Sequence, residues 1–179
     1  RMGEMLMRDM GRLTGGVETV CLRYFNVYGP RQTTAADGAY ATAIGIFFEH
    51  LVKKLPMPVV PDGQQRRDFT YVSDVADANL AAMVSDRVGG GEIINIGAGR
   101  NHSIWDAVRL VHGLDFEVSP EDLIAKNYAI YAPARRGEAK ETLSDITLAK
   151  KLLNWEPKTT FEEGVEKCRQ FYRNIGWNV

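Results

Sequence analysis

The sequence predicts an α/β protein, because β-rich apolar runs alternate with helix-length amphipathic segments along its 179 residues. The run "VETVCLRYFNV" is mostly apolar instead of alternating, which is typical of a strand buried in a parallel sheet. A second run, "EIINI", is framed by glycines, and helical patterns dominate the C-terminal part. Together these observations place the chain among α/β proteins with a helical C-terminal region.

The first half of the chain is predicted to run helix, strand, loop, helix. The opening "RMGEMLMRDMGRL" has apolar residues at steps of three and four on one stripe: Met2, Met5, Leu6, Met10 and Leu13. The glycines of "TGG" end this helix, and the apolar strand that follows ends at the turn "YGPRQ". A loop of small polar residues then leads to the helical segment "YATAIGIFFEHLVKK".

The second half is predicted to alternate short strands and helices. "MPVV" and "RRDFTYV" are strands joined by the turn "PDGQ", and "SDVADANLAAMV" is a helix with Ser73 or Asp74 as its N-cap. After the "EIINI" strand, a capping-box pattern starts the helix "IWDAVRLVHGL", and another starts the last helix. The pairs are Ser103 with Asp106 and Thr160 with Glu163. "SDITLAKKLLN" is a helix, whereas residues 115–140 are predicted to be irregular.

Composition excludes several classes of function. A net charge of −1 gives no field that would favour nucleic acid or an anionic membrane, and no apolar run reaches transmembrane length. Cys21 and Cys168 have no CxxC spacing, so reduced thiols and a cytoplasmic protein are expected. The three histidines lack ligand neighbours at metal-site spacing.

One stretch imitates a dinucleotide-binding motif. "INIGAGRNHS" is a strand, a G-x-G turn and a helix start, but His102 stands where the third glycine belongs. No acidic residue ends a following strand at the distance that ribose recognition needs. We therefore expect an ordinary strand-to-helix turn here. The sequence also contains neither a Walker-type loop nor a G-x-S-x-G elbow.

An arginine beside an aromatic residue is the first candidate binding feature. Side chains alternate along a strand, so "QQRRDFTYV" places Arg67, Phe69 and Tyr71 on one face, with Asp68 on the other. Such an arginine fork suits a phosphate that carries a ring, although a surface arginine is the alternative. Arg135, in the pair "RR", would supply the second charge that a diphosphate requires, unless it is simply solvated.

The polar end of the first strand is the second candidate feature. In "RYFNVYGPRQ", Asn26 and the following Tyr-Gly-Pro stand at a carboxyl strand end, where open α/β sheets bind ligands. The alternative is an ordinary strand terminus, for which Asn and Gly-Pro are both normal.

Four stretches of the sequence, in this order, resemble one family: "LRYFNVYGPRQ", "PDGQQRRDFTYVSDVADAN", "EIINIGAGRNHSI" and "RRGEAKETLSDITLAKKLLNWEPKTTFEEGV". This is the extended short-chain dehydrogenase/reductases that act on nucleotide sugars, with UDP-glucose 4-epimerases the most similar. The resemblance implies the C-terminal part of an NAD(P)-binding Rossmann-like fold, namely its last parallel strands plus a small substrate-binding α/β subdomain.

The implied organisation has two parts. Residues 1–30 would be the end of the catalytic helix and a late Rossmann strand. Residues 31–179 would mainly form the nucleotide-sugar-binding subdomain, interleaved with the last Rossmann elements near 65–85. The cofactor-binding N-terminal half of the family is absent from this sequence.

The resemblance also assigns site residues. Tyr24 and Val27 would flank the nicotinamide end of NAD in the parent enzyme. The residues implied for the nucleotide sugar are Asn26, Thr42, Pro58, Val60, Arg67, Phe69 and Arg135. Of these, Asn26 would bind near the phosphates, Pro58 and Val60 would line the base, and Arg67 with Arg135 would clamp the diphosphate. The sequence departs from the family pattern at Gly45 and Pro61, which could reshape the nucleotide pocket.

The family's catalytic Tyr-x-x-x-Lys does not occur in this sequence. A Gly-Glu pair follows the family's lysine, and Gly3-Glu4 matches it, so the lysine is expected immediately upstream of Arg1. The resemblance implies half of a 4-epimerase, in which NAD takes and returns a hydride, with this half inactive alone. Alternatives are a dTDP-glucose dehydratase, a UDP-glucuronate decarboxylase, or a non-catalytic binding module. We also expect the chain to form a homo-oligomer.

Overall fold

The computed structural model describes residues 2–34, 38, 41–134 and 137–179, and it is an α/β structure with parallel strand pairs. Its helices and strands follow in chain order: α1 (Met2–Thr14), β1 (Thr19–Tyr24), β2 (Val27–Tyr28), α2 (Ala43–Val52), β3 (Met57–Val59), β4 (Arg66–Arg67), β5 (Thr70–Tyr71), α3 (Val72–Val84), β6 (Gly90–Ile96), β7 (His102–Ser103), α4 (Ile104–His112), α5 (Pro120–Ala125), β8 (Ala129–Tyr131), α6 (Thr147–Leu153) and α7 (Phe161–Asn174).

The first layer is built on the parallel pair β1–β6, in which Leu22 lies opposite Ile94. On one face, the buried Ile94 packs with Ala78 of α3 and Ala149 of α6. On the other face, Arg23 of β1 pairs with Glu4 of α1 at 2.6 Å. Because neighbouring residues of a strand point to opposite faces, α1 and α3 cover different sides of this pair. The parallel arrangement expected from the apolar runs is confirmed.

The second and larger core lies between α2, β3, α4, β8 and α7. β3 and β8 pair in parallel, and Trp105, Phe48 and Met57 are at most 1% exposed within this core. α7 packs closely on the end of β2, because Gly164 carries no side chain. A Cβ atom at position 164 would lie 1.9 Å from the Tyr28 hydroxyl oxygen. This close approach joins the C-terminal helix to the strand that follows Asn26.

Helix starts agree only in part with the sequence predictions. Both predicted capping boxes, at Ser103 and at Thr160, are confirmed. The N-cap predicted for α3 at Ser73 or Asp74 is wrong, since the helix begins at Val72 with no side-chain cap. Asp74 instead accepts a hydrogen bond from the Thr159 backbone N–H at 3.0 Å, which ties the segment before α7 to α3.

The predicted strand "RRDFTYV" is two short strands, and Asp68 stands between them. Its carboxylate is fully buried and accepts backbone N–H groups from Ala98 at 2.7 Å, Gly99 at 3.2 Å and Ser144 at 2.9 Å. β4 pairs antiparallel with β7, whereas β5 pairs in parallel with β2. At the interruption, Asp68 thus holds two distant segments, the loop after β6 and the segment before α6.

Residues 115–140, predicted to be irregular, contain a helix and a strand. α5 begins after Ser119, whose hydroxyl caps the Asp122 N–H at 3.0 Å, and Pro120 occupies its first turn. The "SPED" pattern is a helix-start signal that the prediction overlooked. β8 then completes the pair with β3.

No helix within the described ranges is long and apolar enough to cross a membrane. Among the same residues, no cluster of three or more His, Cys, Asp or Glu side chains is placed to hold a metal ion. Both cysteines are free thiols, and burial raises the pKa of the Cys168 thiol to about 12. The apolar stripe of α1 is exposed, with Met2 at 86% and Leu13 at 83%.

Candidate functional site

A cavity of about 290 Å³ lies beyond the end of β1, between α2, β3 and β4. It collects seven of the nine residues that the sequence assigned to the site: Asn26, Val27, Thr42, Pro58, Val60, Arg67 and Phe69. Residues that the sequence reasoning missed also line it, among them Phe47, Gln65, Ile104 and Glu138. Gln65 and Glu138 belong to the quoted stretches "DGQQRRDF" and "RRGE", so their position in those stretches was the available signal.

Two of the nine assigned residues are not placed in the cavity. Tyr24 lines a separate groove beside α3, where its hydroxyl donates to Asn79 Oδ1 at 2.9 Å. Arg135 lies outside the described residues. The structure therefore places Val27 but not Tyr24 beside the other assigned residues.

Asn26 sits at the break between β1 and β2 with a positive φ of 32°, in a region that Asn tolerates better than most residues. Its amide Nδ2 donates to the Asp68 carbonyl at 3.1 Å and to Thr142 Oγ1 at 3.1 Å. Both amide hydrogens are thus used, and Oδ1 is the remaining polar atom of the side chain. Asn26 is arranged to accept a hydrogen bond from a ligand hydroxyl and not to donate one to a phosphate.

Arg67 supplies positive charge at the edge of the cavity. Its side chain is only 11% exposed, Nη1 donates to the Arg66 carbonyl at 2.8 Å, and Nη2 forms an ion pair with Glu138. Arg66 points elsewhere and donates from Nε to Asn101 Oδ1 at 2.7 Å. Of the two neighbouring arginines, Arg67 lines the cavity, as the alternation of strand side chains predicts.

The apolar wall of the cavity comes from β3 and the β4–β5 connection. Met57 and Val59 point into the core, so the alternating Pro58 and Val60 line the cavity. Phe69 stacks on Phe161 of α7, with ring centroids 4.6 Å apart and planes inclined by 3°. This stacking holds Phe69 as a fixed wall.

Thr42 serves the local structure as well as the cavity. Its hydroxyl accepts the Gly45 N–H at 3.0 Å as the N-cap of α2 and donates to Gln32 Oε1 at 2.9 Å. A Cβ at Gly45 would lie 2.2 Å from the Thr33 carbonyl oxygen. The glycine that departs from the family pattern therefore lets the segment before α2 approach the helix.

The G-x-G turn after β6 does not form a dinucleotide cradle. The N–H groups of Ala98 and Gly99, which a pyrophosphate would need, donate to the buried Asp68 carboxylate. These two N–H groups are therefore already used within the chain. The expectation of an ordinary turn in "INIGAGRNHS" agrees with these hydrogen bonds.

Two histidines near the second core predict a pH dependence of stability. Burial lowers the pKa of His102, which contacts the Phe161 ring, and that of His112. Because the unfolded chain then binds protons more readily, stability should fall as the pH drops below about 6.5 toward the lowered pKa values. Melting temperatures measured from pH 7.5 to 5 should show this loss.

The His102→Gln/His112→Gln double variant should flatten that pH profile. Glu4 does not affect stability between pH 6.5 and 5. The hydrogen bond from Arg23 lowers the pKa of Glu4 to about 2, so the contribution of Glu4 to stability is lost only below about pH 4.5. An unchanged slope between pH 6.5 and 5 in the double variant would contradict the assignment to the histidines.

Residues 1–97 match the model of the NAD dependent epimerase/dehydratase family. The chain belongs to this family. A UDP-N-acetyl-alpha-D-glucosaminuronate decarboxylase of Bacillus cytotoxicus is 34% identical to it over 166 residues, covering 93% of this chain and 50% of the relative. A putative UDP-glucose 4-epimerase of Methanocaldococcus jannaschii is 34% identical over 172 residues, covering 96% of this chain and 51% of the relative.

A solved member of this epimerase/dehydratase family has the same fold. The UDP-glucose 4-epimerase of Thermotoga maritima, crystallised with UDP-glucose, superposes with a TM-score of 0.79 and is 34% identical. The alignment covers 96% of this chain and 51% of that one. The chain thus spans about half the length of the curated relatives and solved structures that it matches.

Proposed function

We propose that this chain is the substrate-binding half of an NAD-dependent nucleotide-sugar 4-epimerase of the UDP-glucose/UDP-galactose type. The observation that carries the proposal is the cavity in which Asn26, Arg67 and Phe69 meet the wall formed by Pro58 and Val60. A charged group, a polar acceptor and an apolar wall in one concave site suit a ligand with a diphosphate, a sugar and a base.

Each group of the ligand has a matching part of the cavity. The Arg67 guanidinium neutralises the diphosphate, together with Arg135 as the sequence resemblance implies. The wall of Pro58, Val60 and Phe69 accepts the base, and Asn26 Oδ1 accepts a hydrogen bond from a hydroxyl. NAD supplies hydride transfer in the family. This chain has no Tyr-x-x-x-Lys and no dinucleotide cradle among the described residues, so we propose that it is inactive alone.

A decarboxylase of a UDP-linked uronic acid is the second candidate. The decarboxylase of Bacillus cytotoxicus is as similar to this chain, at 34% identity, as the putative epimerase of Methanocaldococcus jannaschii. Both reactions require the same binding of a UDP group. The cavity supports that binding for either reaction, and the resemblance of the quoted stretches to 4-epimerases favours the epimerase.

Titration calorimetry with UDP tests the shared part of the proposal. The chain should bind UDP and should bind uridine more weakly, because uridine lacks the diphosphate that Arg67 is proposed to neutralise. Absence of UDP binding, or equal affinity for uridine, would overturn it. A chain extended to the length of its relatives separates the reactions: interconversion of UDP-glucose and UDP-galactose supports the epimerase, whereas CO₂ release from UDP-glucuronate supports the decarboxylase.

The exposed apolar stripe of α1 bears on assembly. Met2, Met5 and Leu6 are each at least 60% exposed, so α1 presents apolar side chains that contact with another chain would bury. We propose that such a contact forms the homo-oligomer expected from the sequence.

A further inference from the structure

The ion pair between Arg67 and Glu138 lies at the wall of the cavity. Both residues line the cavity, and their side chains are 11% and 30% exposed. Arg67 Nη2 donates to Glu138 Oε1, and Arg67 Nη1 donates to the Arg66 carbonyl at 2.8 Å. Because so little of Arg67 is exposed, the Glu138 carboxylate covers guanidinium surface that an anionic ligand would otherwise contact.

Two backbone hydrogen bonds hold the segment after Glu138 beside β4. The Arg66 N–H donates to the Lys140 carbonyl at 2.8 Å, and the Thr142 N–H donates to the Arg66 carbonyl at 3.0 Å. The backbone at residues 140–142 is therefore fixed next to the strand that carries Arg67, and it keeps the Glu138 carboxylate within reach of the guanidinium. The fold thus places an anion of its own at the positive charge of the cavity.

The Glu138 side chain has room to move away from the guanidinium. A second cavity, of about 380 Å³, shares Glu138 with the first and is also lined by Lys140. Gly137, which precedes Glu138, has a positive φ of 81°, and a Cβ atom there would have no atom of the described residues within 4 Å. A carboxylate that turns away from Arg67 can therefore enter the second cavity, where Lys140 offers another positive charge.

We infer that Glu138 competes with the anionic group of a ligand for Arg67 and thereby sets how strongly the cavity prefers charged over uncharged ligands. The inference rests on the proposed function, in which Arg67 neutralises the diphosphate. A phosphate that approaches the guanidinium has to displace the carboxylate, and the negative charge of Glu138 repels the phosphate. Uridine brings no phosphate and meets neither cost. Glu138 therefore disfavours free anions, which have no base and sugar to fill the rest of the cavity.

The test measures the binding of UDP, pyrophosphate and uridine by calorimetry in the wild type and in Glu138→Gln. The amide keeps the shape of the side chain and can still accept a hydrogen bond from Arg67, but it carries no charge. UDP and pyrophosphate should each bind the variant about tenfold more tightly than the wild type, whereas the affinity for uridine should not change. The affinity for UDP should also fall more steeply with salt concentration in the variant, because the charge of Arg67 is then uncompensated.

Glu141→Gln is the matched control. Glu141 belongs to the same segment, but it accepts a hydrogen bond from Asn101 Nδ2 at 2.6 Å and lines neither cavity. Its substitution removes the same charge at an exposed position, so the affinity for UDP should change less than about twofold.

Unchanged or weaker binding of UDP and pyrophosphate by Glu138→Gln would overturn the inference, because the carboxylate would then not compete for Arg67. An equal loss for UDP and uridine would overturn it too, since the carboxylate would then contact the nucleoside. So would a gain of the same size in Glu141→Gln, which would show a general effect of charge. Failure of the wild type to bind UDP would instead overturn the proposed function, and the pyrophosphate comparison alone would then decide the role of Glu138.

Discussion

Replacing Arg67 by alanine should weaken UDP binding about 100-fold. Charge-assisted hydrogen bonds to an anion contribute up to about 3 kcal/mol, and 1.4 kcal/mol corresponds to a factor of ten. The contribution is near the upper end here because the side chain is only 11% exposed. The substitution also leaves Glu138, its ion-pair partner, beside the diphosphate without a counter-charge. Titration calorimetry at fixed ionic strength measures the change.

Arg66→Ala is the matched control for this prediction. Arg66 is the next residue, is exposed and points to Asn101 instead of the cavity, so its loss should change UDP affinity less than about threefold. Uridine should bind equally well to the wild type and to Arg67→Ala, because it brings no diphosphate. An equal loss in both variants, or a loss that extends to uridine, would show that Arg67 does not act on the diphosphate.

Replacing Asp68 by alanine should lower the free energy of unfolding by about 4 kcal/mol, from the cost of leaving several buried N–H groups without an acceptor. The carboxylate is 0% exposed and accepts backbone hydrogen bonds from Ala98, Gly99 and Ser144. It is thus the common acceptor for the loop after β6 and the segment before α6. Urea unfolding followed by circular dichroism measures the loss.

Asp86→Ala is the control for stability, since Asp86 is exposed and its removal should cost less than about 0.5 kcal/mol. Asp68→Asn keeps the shape of the side chain but exchanges one acceptor oxygen for a donor, so an intermediate loss is expected. A change below 1 kcal/mol in Asp68→Ala would contradict the role of this carboxylate as a structural acceptor.

Local signals predicted those parts of the fold that depend on residues close in sequence. The two capping boxes and the buried parallel strand β1 follow from short patterns, and all are present. The alternation of side chains between the two faces of a strand also placed Arg67 and Phe69 on one face and Asp68 on the other. In the structure, Arg67 and Phe69 line the cavity, whereas Asp68 is buried. Alternation survives the break in the strand because the backbone remains extended on both sides of it.

Features that depend on distant segments could not be predicted in this way. The interruption at Asp68 requires N–H groups about 30 and 76 residues further along the chain. Asp74 looked like a helix cap, but it is bonded to Thr159, which no local pattern around residue 74 reveals.

The stacking of Phe161 on Phe69 has a consequence for where the binding unit ends in the sequence. Phe161, the first residue of the last helix, backs Phe69 of the cavity wall, and Gly164 lets that helix sit directly against Tyr28. α7 is therefore not a dispensable tail. A minimal ligand-binding fragment has to extend through this helix, and trimming it would remove the backing of the cavity before touching any residue that lines it.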